Sequence, residues 1–414
     1  MRRFSESYRN WGRNAKVLVL TEPLWSIPMS WVFFYRPVFM RSLGITEVEI
    51  GLMMTLYSIL QIFLPLFGGY LADRFGRKRV LMLFDVVGWV SAMSLWLIAR
   101  ELWHMILAIV FEALITVIYS VWECMLIEDT ESEHRASIFS TINLIYVIGG
   151  LLTPLAGLIL MSYGIELGCR MLFTIALISL CVMFTVRQIF LRETEIGNLL
   201  LRERSDLSGF RGYRRAIRIV FRTKIILLVF ICTVLGGFYY TVSGTYNALY
   251  LTDSRGLGLS EGLASIVPAS SSIVAILLLT TILPKIRGEE NLLKVLVFGY
   301  ILAAISVTML IIAPNGCLIL AVTAGIMGGF YILVYPTIRT ILVNRIDLVD
   351  ERAKAKILSL STTSSALVNW LTPTLAGYAY AINPKIPFTV SVGILMVNTV
   401  IAFAIKTSAR TSYG

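Results

Sequence analysis

Long apolar runs, separated by short polar loops, cover almost the whole chain. A helix needs roughly 20 apolar residues to cross a hydrocarbon core of about 30 Å, and twelve runs approach or exceed that length. We number the predicted spans one to twelve in chain order: 17–40, 48–72, 79–99, 102–126, 136–161, 170–191, 223–251, 261–284, 291–312, 316–343, 356–381 and 385–406. This pattern predicts an all-α membrane protein.

Basic residues are divided unequally between the loops. If the N-terminus is cytoplasmic, the inner segments hold five Lys and Arg before residue 17, four between 73 and 79 and ten between 187 and 224. The outer loops hold single basic residues. Because Lys and Arg accumulate on the cytoplasmic side, both termini are predicted to be cytoplasmic, in a multi-pass protein of the cell (plasma or inner) membrane.

The basic stretch between spans six and seven divides the chain into two halves of six spans. The predicted domains are a cytoplasmic segment at 1–16, a first six-helix bundle at 17–191, a basic linker at 192–222, a second bundle at 223–406 and a tail at 407–414. An internal repeat supports this division, since "LGITE" at Leu43–Glu47 recurs as "LGLSE" at Leu257–Glu261. Parallel six-span repeats are typical of transporters that bind substrate between the repeats near the midplane.

Composition excludes several other classes of protein. Hydrophobic residues make up 57% of the chain and charged residues 15%, against about 45–50% and 25% in soluble domains. The net charge of +11 lies in the loops, so membrane topology explains it better than nucleic acid does. Five scattered cysteines and two histidines predict neither a disulfide framework nor a metal site. We expect no cofactor, and without a G-x-x-x-x-G-K-[ST] loop we do not expect ATP as the driver.

The loop between spans two and three carries the most specific motif. It reads "GGYLADRFGRKRV" from Gly68 to Val80 and resembles the signature G-x-x-x-D-R/K-x-G-R/K-K/R of the major facilitator superfamily. The resemblance extends along the chain in span number, repeat and loop placement. It implies twelve helices in two pseudo-symmetric six-helix bundles, and substrate transport by alternating access.

In that family the signature loop acts as a conformational latch. The resemblance implies that Asp73 meets the N-terminus of span eleven near Lys356, while Arg77 engages an acidic residue at the end of span four. The predicted latch residues are Gly69, Asp73, Arg74, Gly76, Arg77, Glu128 and Asp129. The corresponding loop of the second half, "LPKIRGEEN", lacks the aspartate and the glycine spacing, so we expect a one-sided latch.

A second resemblance is partial. "GGLLTPLAG" at Gly149–Gly157 is similar to the motif G-x-x-x-G-P-x-x-G-G of drug/proton antiporters, but Thr153 and Leu158 replace glycines. A proline kink packed by small residues explains this stretch as well as an antiporter motif does.

Spans one, four, seven and ten surround the central cavity in this family, so their polar faces are candidate sites. On span four, Glu112, Thr116, Tyr119 and Glu123 fall within about 60° of one another at 100° per residue, and such a stripe favours a wet interior. The predicted proton and substrate residues are Glu22, Arg36, Glu112, Glu123 and Arg339. The predicted cavity-lining residues are Tyr119, Tyr239, Tyr240, Ser243, Asn247, Tyr331 and Tyr335.

A buried carboxyl gives a transporter a means of coupling to protons, because desolvation favours its protonated form. Glu112 is the predicted proton and substrate site. Glu123 is predicted to belong to a gate, with Arg339 as its partner. Asp85 is predicted to have a structural role or to pair with arginines of the loops. We predict a monomeric secondary transporter that exports lipophilic cations against protons, with the lipid bilayer as its surroundings. Uptake of a sugar or small metabolite and transport of an organic anion are the alternatives. The chain shows no nucleophile–base pair for an enzyme and no output domain for a sensor.

Overall fold

The computed structural model describes residues 8–202, 213–286, 288–349 and 354–411. These residues are helical almost throughout, and no strand occurs among them. The prediction of an all-α membrane protein is confirmed. The predicted domain bounds at 1–16, 192–222 and 407–414 fall partly on residues outside the described ranges, and the domain division stays a prediction.

The helices group into two compact units. The first comprises Met1–Ile45 and Leu56–Leu207, and the second comprises Thr46–Thr55 and Ser208–Gly414. Helix Glu47–Phe63 therefore contributes its first residues to the second unit. The other helices of the first unit are Arg13–Ser42, Pro65–Phe75, Arg77–Asp85, Ser91–Ile98, Leu102–Leu114, Tyr119–Ile127, Ser132–Leu151, Thr153–Tyr163, Ile165–Phe190 and Glu195–Arg202.

The second unit begins with a short basic helix and continues with the longer apolar ones. Its helices are Tyr213–Arg222, Lys224–Thr252, Glu261–Ala264, Ile266–Leu277, Glu289–Ile312, Leu318–Gly328, Val334–Val349, Lys354–Asn369, Thr372–Ile382 and Ile386–Thr411. Its core contains buried tyrosines, among them Tyr246 and Tyr380, whose rings stack with centroids 5.4 Å apart.

Nine helical stretches among the described residues are long and apolar enough to cross a membrane. A tenth is obtained if Leu102–Ile118 and Val121–Ile127, which are bent by 41°, form one span. Predicted spans two and eleven are each divided into two helices. In span two the second helix begins at Pro65, and in span eleven it begins at Thr372, next to Pro373. Proline lacks the backbone N–H that would continue the helix. The twelve crossings are consistent with this arrangement and stay a prediction.

Two irregular turns lie side by side within spans three and four. A π-helical turn occupies Val86–Val90 and a 3₁₀ turn occupies Ile115–Ile118. Gly88 allows their close approach, because a Cβ there would lie 2.5 Å from Cγ1 of Ile115 and 3.1 Å from the carbonyl oxygen of Phe111. Such turns often mark functional sites in membrane and soluble helices.

Span one is a single helix, Arg13–Ser42, despite three internal prolines. Pro28 has no N–H to bond the carbonyl of Leu24, four residues earlier. Ser179 of span six satisfies that carbonyl instead, with its Oγ donating a hydrogen bond of 2.6 Å. The contact ties span six to span one.

Candidate functional site

A cavity of 370 Å³ lies inside the first unit and is the candidate site. Its wall is acidic and aromatic, with a single basic side chain. The lining residues are Glu22, Trp25, Asp85, Trp89, Ile115, Ile118, Tyr119, Trp122, Glu123, Tyr146 and Arg187. Three carboxyl groups thus face one guanidinium, and five aromatic rings surround them.

The two irregular turns form part of this wall. Asp85 immediately precedes the π-helical turn, and Trp89 belongs to it. Ile115 and Ile118 are the first and last residues of the 3₁₀ turn. Because these turns change the rotation of the helix, they determine which side chains before and after them reach the cavity.

Glu22, Asp85 and Arg187 form what we call the carboxylate cluster. Nη2 of Arg187 lies 2.7 Å from Oε2 of Glu22, and Nη1 lies 3.5 Å from Oδ2 of Asp85. The guanidinium also donates from Nε to Oγ1 of Thr21 at 2.9 Å, and Tyr146 donates to Oε1 of Glu22 at 3.0 Å. All three charged residues are at most 4% exposed, so their charges interact with little screening by water.

The aromatic part of the wall is preassembled around Trp25. Its ring packs edge-on against Trp89 and against Tyr146, with centroids 5.6 Å apart in both cases. Phe33 extends this cluster, with its ring 6.3 Å from both Trp25 and Trp89. Rings held in this way offer π faces to a cation at little cost in conformational entropy.

Glu112 and Arg36 lie away from the cavity wall. Nη1 of Arg36 contacts Oε2 of Glu112 at 2.7 Å, and both residues are buried. Among the predicted proton and substrate residues, the structure therefore brings Glu22 and Glu123 to the cavity and pairs Glu112 with Arg36. Of the predicted cavity-lining residues, Tyr119 is on this wall.

The predicted latch residues of the first unit are only partly described. Arg77 forms an ion pair with Glu128, and the backbone N–H groups of Arg77 and Lys78 both donate to the carboxylate of Glu193 at 3.0 Å. Gly76, which immediately precedes helix Arg77–Asp85, has a backbone φ of 92°. Arg74 is exposed and donates to the hydroxyl of Tyr70 at 2.6 Å. The side chains of Asp73 and Lys356 and the surroundings of Gly69 lie outside what the structure describes.

Asp129 takes a different partner from Glu128. Nδ2 of Asn14 donates to Oδ2 of Asp129 at 2.8 Å, which fixes the start of span one to the end of span four. Burial raises the pKa of the Asp129 carboxyl above its ordinary value, and the nearby charge of Glu195 raises it further.

The second unit holds a counterpart of the Arg77–Glu128 pair with the charges exchanged. Gly288, with φ of 80°, precedes helix Glu289–Ile312 as Gly76 precedes its helix. Nη2 of Arg345 lies 2.7 Å from Oε1 of Glu289. The second loop thus keeps one glycine turn and an ion pair of reversed polarity, and the one-sided latch stays a prediction.

The remaining predicted residues belong to the second unit. The ring of Tyr239 packs edge-on against Tyr331 at 4.8 Å, whereas Tyr240 and Tyr335 are exposed. Arg339 donates to the hydroxyl of Tyr335 at 2.8 Å. Ser243 and Asn247 of helix Lys224–Thr252 are partly exposed. The pairing of Glu123 with Arg339 stays a prediction.

Sequence reasoning missed Arg187 as a site residue and gave Asp85 a minor role. Arg187 was counted with the linker charges, but helix Ile165–Phe190 continues past it and buries it. The available signal was an arginine near the end of a span that is followed, after Gln188, by the apolar residues Ile189 and Phe190. Trp25, Trp89, Trp122 and Tyr146 were also missed, because aromatic residues are common throughout membrane helices.

A sequence profile described as Major Facilitator Superfamily matches residues 25–348. The chain belongs to this superfamily, and it is a membrane transporter of the cell membrane.

Two relatives and two solved structures are similar to the chain. It is 22% identical over 378 residues to the "Quinolone resistance protein NorA" of Staphylococcus aureus (strain MRSA252), covering 89% of this chain and 90% of that protein. It is 28% identical over 248 residues, about 55% of each chain, to a "Na(+), Li(+), K(+)/H(+) antiporter" of Planococcus maritimus. The nucleoside transporter NupG has the same fold, with a TM-score of 0.70, 14% identity and coverage of 95% of this chain and 98% of its own. A peptide transporter POT variant gives a TM-score of 0.71 at 14% identity, covering 97% and 95%.

Proposed function

We propose that this transporter works by alternating access and exports lipophilic organic cations in exchange for protons. The observation that carries the proposal is the wall of the first-unit cavity. Three carboxyl groups face a single guanidinium there, so the cavity has an excess of acidic groups. Five aromatic rings add faces that attract a cation, each contact contributing about 0.5–2 kcal/mol when desolvated.

The names of two relatives also support the proposed exchange of cations for protons. One is named for resistance to quinolones and another for exchanging monovalent cations with protons. Both names suit a transporter whose cavity combines cation attraction with exchangeable protons. An organic anion would find the one guanidinium of the cavity already engaged by Glu22 at 2.7 Å.

A second candidate is exchange of inorganic monovalent cations for protons, which the name of the Planococcus relative favours. The carboxyl groups of the cavity are suitable oxygen ligands for such an ion. The five aromatic residues favour the organic cation, because an inorganic ion bound by oxygen atoms has no need of them.

Transport in liposomes tests the proposal. The protein is reconstituted with an acidic lumen, and ethidium, sodium, a neutral sugar and an aromatic carboxylate are offered outside. We expect ethidium to accumulate with an outward movement of protons, and a protonophore, which dissipates the pH gradient, to abolish the accumulation. Glu123→Gln is expected to reduce this flux, whereas Glu101→Gln, an exposed residue away from the cavity, serves as the control. Sodium movement without ethidium movement favours the second candidate, and movement of only the sugar or the carboxylate overturns both.

A further inference from the structure

Two buried ion clusters of the first unit differ in their balance of charge. Arg36 and Glu112 are one cation and one anion, 2.7 Å apart. The carboxylate cluster sets two carboxyl groups, Glu22 and Asp85, against one guanidinium, Arg187. If both carboxyls were ionised, one negative charge would remain uncompensated on side chains that are at most 4% exposed, which is costly. A proton on one of the two removes that cost.

Glu22 is the carboxyl that Arg187 contacts more closely. Each of its oxygens accepts a hydrogen bond, one from Nη2 of Arg187 at 2.7 Å and one from the hydroxyl of Tyr146 at 3.0 Å. Hydrogen bonds donated to a carboxylate stabilise its charge. Arg187 is itself oriented toward Glu22 by the hydrogen bond from its Nε to Thr21.

Asp85 has weaker support for a negative charge. Nη1 of Arg187 lies 3.5 Å from its Oδ2, and within the described part of the chain that oxygen accepts no hydrogen bond. The charged and titratable groups that line the same cavity are Glu22 from span one, Arg187 from span six, Tyr146 from span five, and Tyr119 and Glu123 from span four. Two of these five are carboxylic acids, and Asp85 is 4% exposed. Of the two carboxyl groups that share this guanidinium, Asp85 is the one that Arg187 contacts less closely.

We propose that Asp85 carries the proton that this transporter exchanges, and that Arg187 is a positioning residue that keeps Glu22 ionised. The inference rests on the proposed coupling to protons and names the group responsible. Asp85 lines the cavity, so its O–H bond can break with transfer of the proton to water there. The carboxylate that remains increases the negative charge of the wall and strengthens the attraction for a substrate cation.

Infrared difference spectroscopy of the purified protein tests this assignment between about pH 6, where exposed carboxyl groups are already ionised, and alkaline pH. The carbonyl stretch of a protonated carboxyl is expected in the wild type, lost in Asp85→Asn, and retained in Asp85→Glu, Glu22→Gln and Glu112→Gln. In Arg187→Gln a second carboxyl band is expected, and it should disappear in Arg187→Gln/Glu22→Gln. A band that persists in full in Asp85→Asn overturns the assignment, and the absence of a second band in Arg187→Gln overturns the role of Arg187.

Thermal unfolding supplies an independent measurement. Asparagine has the shape and charge of a protonated aspartate, so Asp85→Asn is expected to unfold at the wild-type temperature. Glu22→Gln removes the counter-ion of Arg187 and is expected to unfold at a lower temperature. An Asp85→Asn protein destabilised as much as Glu22→Gln shows that Asp85 is ionised in the folded state and contradicts the inference.

Transport measurements in liposomes distinguish a failure of this inference from a failure of the proposed function. Wild-type liposomes without proton-coupled flux overturn the proposed function and leave the infrared assignment intact. Coupled flux in the wild type that Asp85→Asn retains in full, including its stimulation by the pH gradient, overturns the inference alone. We expect Asp85→Asn to lose that stimulation.

Discussion

Nη1 of Arg36 lies 2.7 Å from Oε2 of Glu112, and both side chains are enclosed in the first unit. The guanidinium carbon also lies over the rings of Phe33 and Trp96, 5.3 and 5.5 Å from their centroids. The cation is therefore held by a carboxylate and by two aromatic faces. This arrangement balances its own charge and links span one to span four.

Removing one partner of this pair is expected to be costly. Glu112→Gln removes the carboxylate that contacts a buried guanidinium at 2.7 Å, and we expect the free energy of unfolding to fall by about 3–5 kcal/mol. Denaturant unfolding in detergent measures the change. Glu166→Gln is the control, because the pair of Glu166 with Arg170 is 57% exposed at the glutamate and is worth at most about 1 kcal/mol. Equal small losses in both variants would contradict the prediction.

The hydrogen bond from Ser179 to the carbonyl of Leu24 offers a second test. Ser179→Ala leaves that carbonyl without its side-chain donor and without a helix N–H, since Pro28 stands four residues later. We expect a loss of about 1–3 kcal/mol in the free energy of unfolding. Thr185→Ala on the same helix is the matched control. Its exposed hydroxyl bonds the carbonyl of Cys181 at 2.8 Å, so a change within about 0.5 kcal/mol is expected.

Asp129 predicts a dependence of stability on pH. Its raised pKa means that the folded chain keeps the proton to a higher pH than the unfolded chain does. The free energy of unfolding therefore falls as the pH rises from the ordinary value of an aspartate through the raised value, and stays lower above it. Asp129→Asn cannot ionise and is expected to become the more stable protein across that window. The expected change in the free energy of unfolding is small because Asp129 is an exposed residue. A difference in stability between Asp129→Asn and the wild type that grows toward low pH would contradict the prediction.

The sequence predicts the helices well because a membrane leaves the backbone little choice. Every N–H and C=O in the hydrocarbon must be satisfied within the chain, so a long apolar run specifies a helix. Breaks at Pro65 and Pro373 follow from the same rule. The sequence of the second loop predicts the loss of the aspartate and of the glycine spacing, but it does not show that Gly288 keeps a backbone turn like that of Gly76 or that the ion pair beside it has reversed polarity.

Which face of span four meets the cavity was not predictable from a regular period. A uniform 100° per residue places Glu112 and Glu123 on one stripe. The 3₁₀ turn at Ile115–Ile118 advances about 20° more per residue. Over four residues this adds about 80°, which rotates Glu112 toward Arg36 while Tyr119 and Glu123 reach the cavity. The partnership of Asp85 with Arg187 depends on how three helices pack, which no single period encodes.

The ion pair between Glu289 and Arg345 of the second unit has its charges exchanged relative to the Arg77–Glu128 pair of the first unit. Swapping Glu289 and Arg345 tests whether the two residues are coupled. Glu289→Arg places two guanidinium groups together, so we expect a loss of about 1–3 kcal/mol in the free energy of unfolding. The double variant Glu289→Arg/Arg345→Glu re-forms an ion pair and is expected to recover most of that loss. It should not recover all of it, because an acidic residue is preferred in the first turn of helix Glu289–Ile312. Losses that simply add in the double variant would show that the two residues are not coupled.

Trp122 gives a prediction for substrate recognition that follows from the aromatic wall. It lines the cavity next to Glu123, where a bound organic cation would meet both a carboxylate and a π face. Trp122→Ala is expected to weaken ethidium binding by about 0.5–2 kcal/mol, or roughly 2- to 30-fold in Kd. Trp122→Phe retains a ring and should lose less. Trp103→Ala removes a tryptophan that is 52% exposed and should leave Kd unchanged. Titration calorimetry of the purified protein measures all three, and an equal loss for Trp122→Ala and Trp103→Ala would exclude a specific contact between Trp122 and the cation.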